Sequence, residues 1–347
     1  MIFFDHSRTH KATHRSGLTR VTTRLLKELR GAVQPIAVLC PGDGGPASTA
    51  STFRPNPKDW LLTAELFSEA ECPGLWNLIR ARRCRLAAIF HDAIPLKHPH
   101  ITWPQSVGRH PEYMKMLAEF DQVFAVSEAS RTDLIEFWRW QGVEPRAQVK
   151  TIALGADFAS QPRVGATLEA GRASLLCVGI LEPRKNQTFL LDVCDSLWRD
   201  GLAFDLHLVG RVNPHFGKPV LAKIQTLKKK WSSLHFHEAI DDADLAVRYR
   251  EARASVFPTI AEGCGLPLLE SLWLGVPCVC SDLPVLRENA DAGGCVPVTP
   301  NDFEAWRPAL RRVLTDAAHH RELVKSAVSR SLPTWSDTAK SLLARLG

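Results

Sequence analysis

The sequence lacks several features that would assign the protein to a class at once. No C-x-x-C pair occurs, and the nine cysteines are scattered singly apart from Cys278 and Cys280, which argues against a disulfide framework or a zinc site. No hydrophobic run approaches the roughly 18 residues that a membrane-spanning helix needs. The first residues turn charged too early for a signal peptide. We therefore expect reduced thiols and a cytoplasmic protein whose membrane contact, if any, is peripheral.

The charge of the chain is only mildly basic. The formal net charge is +6 over 347 residues, which fits an anionic substrate or an anionic membrane surface. No RNA-binding or zinc-finger signature accompanies this charge, so we expect no nucleic-acid partner. The length is sufficient for two domains, each with its own hydrophobic core.

One stretch organises the second half of the chain. Residues Ala254 to Pro258 predict a buried strand, Thr259 to Gly265 a loop, Leu266 to Leu274 a helix, and Val276 to Cys280 the next strand. This order is typical of a parallel sheet with crossover helices. The helix is apolar on nearly all sides, so we expect it to be buried.

Two carboxylates stand out in this stretch. Glu270 lies among the apolar residues of the helix, where a buried carboxylate needs hydrogen-bond donors such as sugar hydroxyls. Glu262 lies in the preceding loop, and the helix that begins at Leu266 offers its positive N-terminal end to a phosphate. The loop residues Gly263, Cys264 and Gly265 allow the backbone to approach a ligand. The alternative is structural: Glu270 pairs with a neighbouring arginine, and Glu262 caps the helix.

A second loop carries adjacent cations. The predicted strand Ser174 to Val178 is followed by Gly179, Arg184 and Lys185. Two cations at the mouth of a parallel sheet can neutralise a diphosphate without a metal ion. The alternative is a solvated loop with no role in function.

The first half of the chain predicts another parallel sheet. Gly17 lies at the tip of a strand-to-helix turn, which is a weak signal by itself. The buried strand Leu86 to Phe90 delivers His91 at its carboxyl end, where open α/β sheets place their ligands. The imidazole of His91 could donate to an oxygen of a sugar. Local capping or packing remains the alternative for His91, and an ordinary solvated loop for Gly17.

These motifs resemble a known family. The segment E-G-C-G-L-P-L-L-E, followed by S-L-W-L-G-V-P, is similar to the E-x7-E signature of retaining family 4 glycosyltransferases. V-G-I-L-E-P-R-K-N and H-D-A-I-P-L resemble two further segments of that family. Ile180 departs from the pattern, because many relatives carry an arginine immediately after the glycine. The resemblance covers almost the whole chain and is strongest at residues 176–187 and 255–288.

The resemblance implies an α/β protein of GT-B architecture, with two facing Rossmann-like, doubly wound parallel-sheet domains and a cleft between them. We expect an acceptor-side domain at 1–157, a linker at 158–171 and a nucleotide-sugar domain at 172–333. Residues 334–347 would form a terminal helix that returns to the first domain.

The resemblance also implies roles for single residues. The catalytic residues would be His91, Glu262, Arg184 and Lys185. The donor diphosphate and sugar would contact Gly17, Gly179, Arg184, Lys185, Gly263, Cys264, Gly265 and Leu266. The nucleoside would contact Gly210, Ile240 and Glu270. The departing phosphate would accept the proton of the acceptor hydroxyl, and no metal or cofactor would be required.

The implied activity is retaining transfer of a hexose or deoxyhexose, of mannose or rhamnose type, from a GDP- or UDP-sugar. The acceptor would be a glycan or a lipid-linked saccharide in polysaccharide assembly. A nucleotide-sugar epimerase of the same fold is an alternative, and so is a non-catalytic nucleotide-sugar-binding subunit, given Ile180. A NAD-dependent oxidoreductase would need G-x-G-x-x-G after a strand, and neither Gly179 nor Gly210 begins one.

A basic segment suggests a membrane contact. Leu75 to Arg85 shows a helical pattern with four arginines among its last six residues. A basic helix beside an apolar face can lie on anionic lipid at the inner face of a membrane. The alternative is a solvated face whose arginines complement the C-terminal end of the helix.

Overall fold

The structure is a computed structural model that divides into two compact units. The described residues are 1–11, 16–37, 54–158, 161–163, 173–238 and 240–347. The first unit comprises Met1–Pro99, Pro104–Gly155 and Thr334–Gly347, and the second comprises His100–Trp103 and Ala156–Pro333. Each unit contains its own parallel sheet.

The first unit is built on a six-stranded parallel sheet of order β2-β1-β3-β4-β5-β6. Its strands are β1 (Ile2–Asp5), β2 (Gln34–Ile36), β3 (Trp60–Thr63), β4 (Arg85–Phe90), β5 (Gln122–Ala125) and β6 (Gln148–Thr151). Its helices are α1 (Gly17–Glu28), α2 (Pro73–Ala81), α3 (Ile94–Lys97), α4 (Pro104–Leu117) and α5 (Glu128–Gln141). Strand β4 is buried along nearly its whole length, as expected for a central parallel strand whose two faces are covered by helices.

Helix α2 differs from the predicted basic helix. The helix ends at Ala81, and Arg82 adopts a left-handed conformation with φ of 47°. Arg85 then begins β4, with its guanidinium over the Trp60 ring at 4.5 Å from the centroid. The predicted helix is therefore confirmed from Leu75 to Ala81 and wrong beyond Ala81, because Arg82 ends the helix and Arg85 enters the next strand.

The second unit repeats the architecture with a sheet of order β12-β11-β10-β7-β8-β9, again all parallel. Its strands are β7 (Ser174–Val178), β8 (Asp205–Val209), β9 (Leu234–His237), β10 (Ala254–Phe257), β11 (Cys278–Ser281) and β12 (Cys295–Val298). Its helices are α6 (Gln187–Arg199), α7 (Gly217–Lys230), α8 (Asp242–Glu251), α9 (Leu266–Trp273), α10 (Pro284–Ala290), α11 (Phe303–Thr315) and α12 (Ala317–Ser329). The sequence reading did not anticipate α10, α12 or β12.

Strands β7 and β10 lie at the centre of this second sheet, side by side. Leu175 pairs in register with Ala254, so the loops that follow the two strands leave the sheet at the same edge. Parallel α/β sheets bind their ligands outside the carboxyl ends of the strands. The topology therefore brings the two predicted site loops together.

The last helix, α13 (Trp335–Leu346), belongs to the first unit. Thr338 donates its hydroxyl to the carbonyl of Ala153 at 2.9 Å. Gly155 leaves room for Trp335, since a Cβ at position 155 would lie 2.2 Å from the Trp335 backbone nitrogen. The terminal helix thus packs on the unit in which the chain begins.

The described part of the expected linker is packed against the second unit. Phe158 is buried in the core of that unit beside Tyr249. The carbonyl of Gln161 accepts a hydrogen bond from the Trp273 indole at 3.1 Å. Residues 159–160 and 164–172 lie outside the described residues.

Two global expectations can be compared with the described residues. No described helix is both long and apolar enough to cross a membrane. Among the cysteines in the described residues, seven are free, whereas Cys72 is disulfide-bonded and so departs from the expected reduced set.

Candidate active site

Two glycines allow the loops after β7 and β8 to approach each other. The amide of Gly179 donates to the carbonyl of Val209 at 2.9 Å. Gly210 has φ of +154°, and a Cβ at this position would lie 2.0 Å from the carbonyl oxygen of Gly179. Only glycine fits at 210, because any side chain would separate the two backbones.

Lys185 lies in the loop after β7 and is held inside the protein. A short 3-10 turn, Pro183–Lys185, carries it, and its side-chain stem passes Gly179, where a Cβ would lie 3.3 Å from the Lys185 Cδ. The ammonium lies 4.9 Å from the centroid of the Phe257 ring and 2.5 Å from Oε1 of Glu262. Lys185 is 9% exposed, so its charge depends on these partners.

Glu262 gathers three donors on a single oxygen. Its Oε1 accepts from the Lys185 ammonium, from Nη1 of Arg184 at 3.1 Å and from the hydroxyl of Thr259 at 2.8 Å. Burial by itself would raise the pKa of Glu262, but the two cations outweigh it and hold the pKa below its usual value. The carboxylate is therefore ionised at neutral pH.

The pKa of Lys185 moves in the direction that burial dictates. Desolvation lowers the pKa of this ammonium, and the attraction of Glu262 opposes the shift. Glu262 is thus the group that keeps a buried lysine positively charged.

Arg184 connects the two site loops. Its guanidinium donates to the carbonyl of Ala261 at 3.1 Å, and its own carbonyl accepts from the amide of Ile260 at 2.9 Å. The Thr259 hydroxyl also lies 3.0 Å from this carbonyl, so its one proton is shared between the carbonyl and Glu262. Because the contacts join backbone as well as side chains, the positions of the cations and of Glu262 are fixed together.

The N-terminus of α9 lies at the end of the Glu262 loop. Gly265 occupies the N-cap position with φ of 83°, and no side-chain hydrogen bond caps the helix, which begins at Leu266. The preceding Cys264 is buried, and its carbonyl accepts from the Asn289 amide at 3.0 Å. Uncapped N–H groups and the helix dipole together favour an anion at this position.

Glu270 and Ile240 lie deeper in the second unit. Glu270 is 5% exposed on α9, as its position among apolar residues predicted. Ile240 is partly buried against the cluster that contains Leu245 and Tyr249. Neither residue shows by itself what it binds.

His91 and Gly17 belong to the first unit. His91 is buried, its ring nitrogen Nε2 donates to the carbonyl of Ala64 at 2.8 Å, and burial lowers its pKa, so the ring is neutral. A neutral imidazole has one N–H, so the other ring nitrogen can accept but not donate. The donor role that the resemblance implied for His91 stays a prediction, and it would require the proton that Ala64 accepts here. Gly17 begins α1 behind the N-cap Ser16, with no atom within 4 Å of a built Cβ.

The structure therefore assembles most of the predicted site within one unit. The gathered residues are Gly179, Arg184, Lys185, Gly210, Glu262, Gly263, Cys264, Gly265 and Leu266. Sequence reasoning missed Thr259, Glu182 and Phe257. Thr259 and Glu182 each lie within three residues of a predicted site residue, which is the only signal that could have identified them. Among the described residues, no group of three or more candidate ligands could hold a metal ion.

Comparisons with known proteins agree on the family. The profile of Glycosyl transferases group 1 matches residues 172–316. The chain is 31% identical over 244 residues to the serotype-specific mannosyltransferase WbdA of Escherichia coli, covering 66% of this chain and 29% of that protein. It is 29% identical over 203 residues to O-antigen chain mannosyltransferase B of Escherichia coli, covering 56% of this chain and 51% of that protein. The chain thus spans between about a third and half of these curated relatives.

Solved structures share the fold over the whole chain. Sucrose-phosphate synthase from Thermosynechococcus elongatus aligns with a TM-score of 0.75 at 19% identity, covering 99% of this chain and 98% of that one. Anabaena HepE, solved in complex with UDP and glucose, aligns with a TM-score of 0.75 at 15% identity, with coverage of 99% and 98%. Together with the profile match, these likenesses establish that the chain has a GT-B fold and that residues 172–316 form a glycosyl transferases group 1 domain.

Proposed function

We propose that the protein transfers a mannose-type hexose from a nucleoside-diphosphate sugar to a glycan or lipid-linked saccharide, with retention of the anomeric configuration. The observation that carries this proposal is the pair of cations, Arg184 and Lys185, held at the carboxyl end of a parallel sheet within a group 1 domain. The relatives are mannosyltransferases, one of them an O-antigen chain enzyme, and this supports the choice of sugar and of polysaccharide assembly.

The cations would bind the donor diphosphate and stabilise it as it departs. Both are held in place by carboxylates before any ligand arrives, so their direction is fixed in advance. Preorganised charge of this kind stabilises a developing anion without the cost of reorganising the site. The N-terminus of α9, with Gly263, Cys264, Gly265 and Leu266, would supply backbone N–H groups to the same diphosphate, and Gly179 would allow it to approach.

Glu262 would position the donor sugar as well as the cations. The contacts of Glu262 with Arg184, Lys185 and Thr259 all fall on Oε1, so we assign Oε2 as the oxygen that binds the sugar. Nucleophilic attack by Glu262 is not part of the proposal, because a carboxylate that neutralises Lys185 is a weak base. The departing phosphate accepts the proton of the acceptor hydroxyl, in a front-face displacement.

The nucleoside would lie against Gly210 and Ile240, with Glu270 accepting from the ribose hydroxyls. A buried carboxylate and two vicinal hydroxyls form complementary hydrogen bonds. The base is guanine or uracil, and no cofactor or metal is required in this mechanism. That HepE was solved with UDP is consistent with a nucleotide donor for this fold.

The first unit would bind the acceptor. His91 would accept from a sugar hydroxyl through its free lone pair rather than donate, since Ala64 holds its only proton. Gly17 would allow the backbone to approach the donor phosphate. We expect the reaction to take place at the cytoplasmic face of a membrane.

The membrane contact predicted for Leu75 to Arg85 would involve only the surface of α2, since that helix ends at Ala81.

A nucleotide panel tests the proposal directly. GDP, UDP, dTDP, ADP and NAD are added to the full chain with and without magnesium, and binding is measured by calorimetry and thermal shift. We expect one nucleoside diphosphate to stabilise the protein without metal, and the matching sugar donor to be consumed only when a saccharide acceptor is present. Binding of NAD alone would overturn the proposal. Conversion of the donor without acceptor would instead identify an epimerase.

A further inference from the structure

The loops after β7 and β8 are joined by more than the two glycines. The amide of Leu181 donates to the carbonyl of Arg211 at 2.9 Å, and the amide of Asn213 donates back to the carbonyl of Leu181 at 3.2 Å. This short parallel bridge carries the β8 loop along the β7 loop. Side chains on the two loops therefore face each other at fixed positions.

Asn213 is oriented by its own backbone contacts. Its Oδ1 accepts from the amides of His215, at 2.9 Å, and Phe216, at 3.1 Å, just before α7 begins. With the oxygen committed to these amides, the NH2 group of Asn213 must point the other way, and it donates to Oε2 of Glu182 at 3.0 Å. The network itself therefore decides the direction of the amide.

Glu182 passes this orientation to Arg184. Its other oxygen, Oε1, accepts from Nε of Arg184 at 3.0 Å and contacts Nη2 at 2.7 Å. The remaining guanidinium nitrogen, Nη1, is the one that contacts Ala261 and Glu262. The Glu182 side chain is 13% exposed, so solvent screens this pair less than a surface pair.

We propose that Glu182 and Asn213 are positioning residues that hold the Arg184 guanidinium in the direction needed at the donor diphosphate. This inference rests on the proposed glycosyl transfer. Two carboxylates balance two cations here, so the cluster of Glu182, Arg184, Lys185 and Glu262 has no net charge. A neutral cluster stabilises a departing diphosphate through the direction of its donors rather than through total charge. An arginine side chain gives up considerable rotamer freedom when it is fixed, and a site that holds it in advance avoids that loss during turnover.

The first test is a mutant cycle between Glu182 and Arg184. Glu182→Ala is expected to lower kcat about 10- to 100-fold, as outer partners of functional groups often do, while the Kd for the nucleoside monophosphate changes less than about twofold because the nucleoside contacts lie elsewhere. In a protein that already carries Arg184→Ala, adding Glu182→Ala should lower kcat little further, since Glu182 acts through Arg184. If Glu182→Ala lowers kcat in the Arg184→Ala protein by the same factor as in the wild type, the inference is overturned.

The second test uses a pair of substitutions that preserves shape. Asn213→Asp keeps the oxygen that caps the amides of His215 and Phe216 but sets two carboxylates against each other, so kcat should fall. Glu182→Gln with Asn213→Asp restores one donor and one acceptor across the same gap, and kcat should recover relative to Asn213→Asp alone. Absence of recovery, with both proteins folded by circular dichroism, would contradict the positioning role.

The control is an exposed ion pair in the same unit. Asp192 contacts Lys223 at 2.6 Å on the surface, and Asp192→Asn should leave kcat and KM unchanged. The outcomes separate the two proposals. If the wild-type protein neither binds a nucleoside diphosphate nor consumes a sugar donor, the proposed function fails. If it does both and the Glu182 variants keep wild-type kcat while Arg184→Ala loses it, only the positioning inference fails.

Discussion

Lys185 is the residue on which the candidate site depends most. A buried ammonium is costly unless it is paired, and here Glu262 lies 2.5 Å from it. The pair is part of the fold, because Thr259 and Arg184 share the same carboxylate oxygen. A substitution at 185 therefore alters both the charge facing a ligand and the ionisation of Glu262.

Lys185→Ala is expected to reduce kcat by about 10²-fold, because one preorganised cation at the leaving group is removed. Binding of the nucleoside monophosphate should change far less, since the proposal assigns the base and ribose to Gly210, Ile240 and Glu270. Steady-state kinetics with the sugar donor and calorimetry with the monophosphate measure the two effects. Lys223→Ala, which removes a partly exposed lysine that pairs with Asp192 in the same unit, is the control. Equal losses in both measurements would assign Lys185 to ground-state binding instead.

Asp5 should make the stability of the first unit depend on pH. It is 1% exposed at the end of β1, and burial, followed by the nearby Glu65, raises its pKa from 3.8 to about 6, while Ser7 and Thr63 oppose the shift. A carboxyl whose pKa is higher in the folded state stabilises the protein fully below the unfolded pKa, and that contribution is lost as the pH rises through the folded pKa.

The ionisation of Asp5 should therefore lower the free energy of unfolding of the first unit as the pH rises from about 4 to about 6. At 1.36 kcal/mol per pKa unit, the decrease is up to ~3 kcal/mol. Denaturant titrations followed by tryptophan fluorescence measure the change. Asp5→Asn keeps the shape and removes the charge, so the difference between wild type and variant should grow across this pH window. A constant difference would show that Asp5 does not titrate there.

At the scale of single elements, the start of α9 sets the direction of the N–H groups that the proposal assigns to the diphosphate. Gly265 has φ of 83°, and a Cβ at this position would lie 2.6 Å from Cδ2 of Leu286 on α10. The left-handed conformation allows the chain to turn from the Glu262 loop into the helix. Both the turn and the packing of α10 therefore require glycine.

Gly265→Ala should destabilise the second unit by about 1–3 kcal/mol through backbone strain and the clash with Leu286. It should also weaken binding of a nucleoside diphosphate more than of a nucleoside, because the N–H groups of α9 move. Gly17→Ala is a matched control at another helix start, where a Cβ meets open space and stability should not change. Similar melting temperatures for both variants would contradict this account.

At the scale of the whole molecule, the chain closes its first unit with its last helix. Trp335 is 2% exposed and packs where only Gly155 leaves room. Arg345 adds a hydrogen bond to the carbonyl of Thr151 at 2.9 Å. The first unit is therefore incomplete without residues 334–347, which follow the segment Ala156–Pro333 that forms most of the second unit.

Trp335→Ala should destabilise the first unit by about 3–5 kcal/mol, the usual cost of removing a large buried aromatic side chain. Nucleotide binding by the second unit should persist at denaturant concentrations where the first unit has unfolded. Trp140→Ala, at a position 77% exposed, is the control and should change little. A single transition shared by both units would show that they unfold together.

Local sequence patterns were sufficient to predict the alternation of strands and helices, since the periodicity of apolar residues and the helix caps are local properties. The terminal helix predicted at residues 334–347 is confirmed as Trp335–Leu346, and the predicted strand Ser174–Val178 is confirmed as well. The helix predicted from Leu75 to Arg85 ends early, at Ala81, because propensity alone could not show that Arg82 turns left-handed and that Arg85 begins β4 and pairs with Trp60 of β3. The helices α10 and α12 were missed because their apolar faces are defined mainly by what they pack against.

The sequence by itself determined which residues could carry the chemistry: the adjacent cations, the two glutamates eight positions apart, and the glycines at strand ends. These are matters of residue type and spacing, which a linear pattern can show. Only the tertiary structure decided their partners. Glu262 and Lys185 lie 77 positions apart in the chain and meet because β7 and β10 are neighbours in the sheet. Ala64 takes the only proton of His91 for the same reason, since β3 and β4 lie side by side.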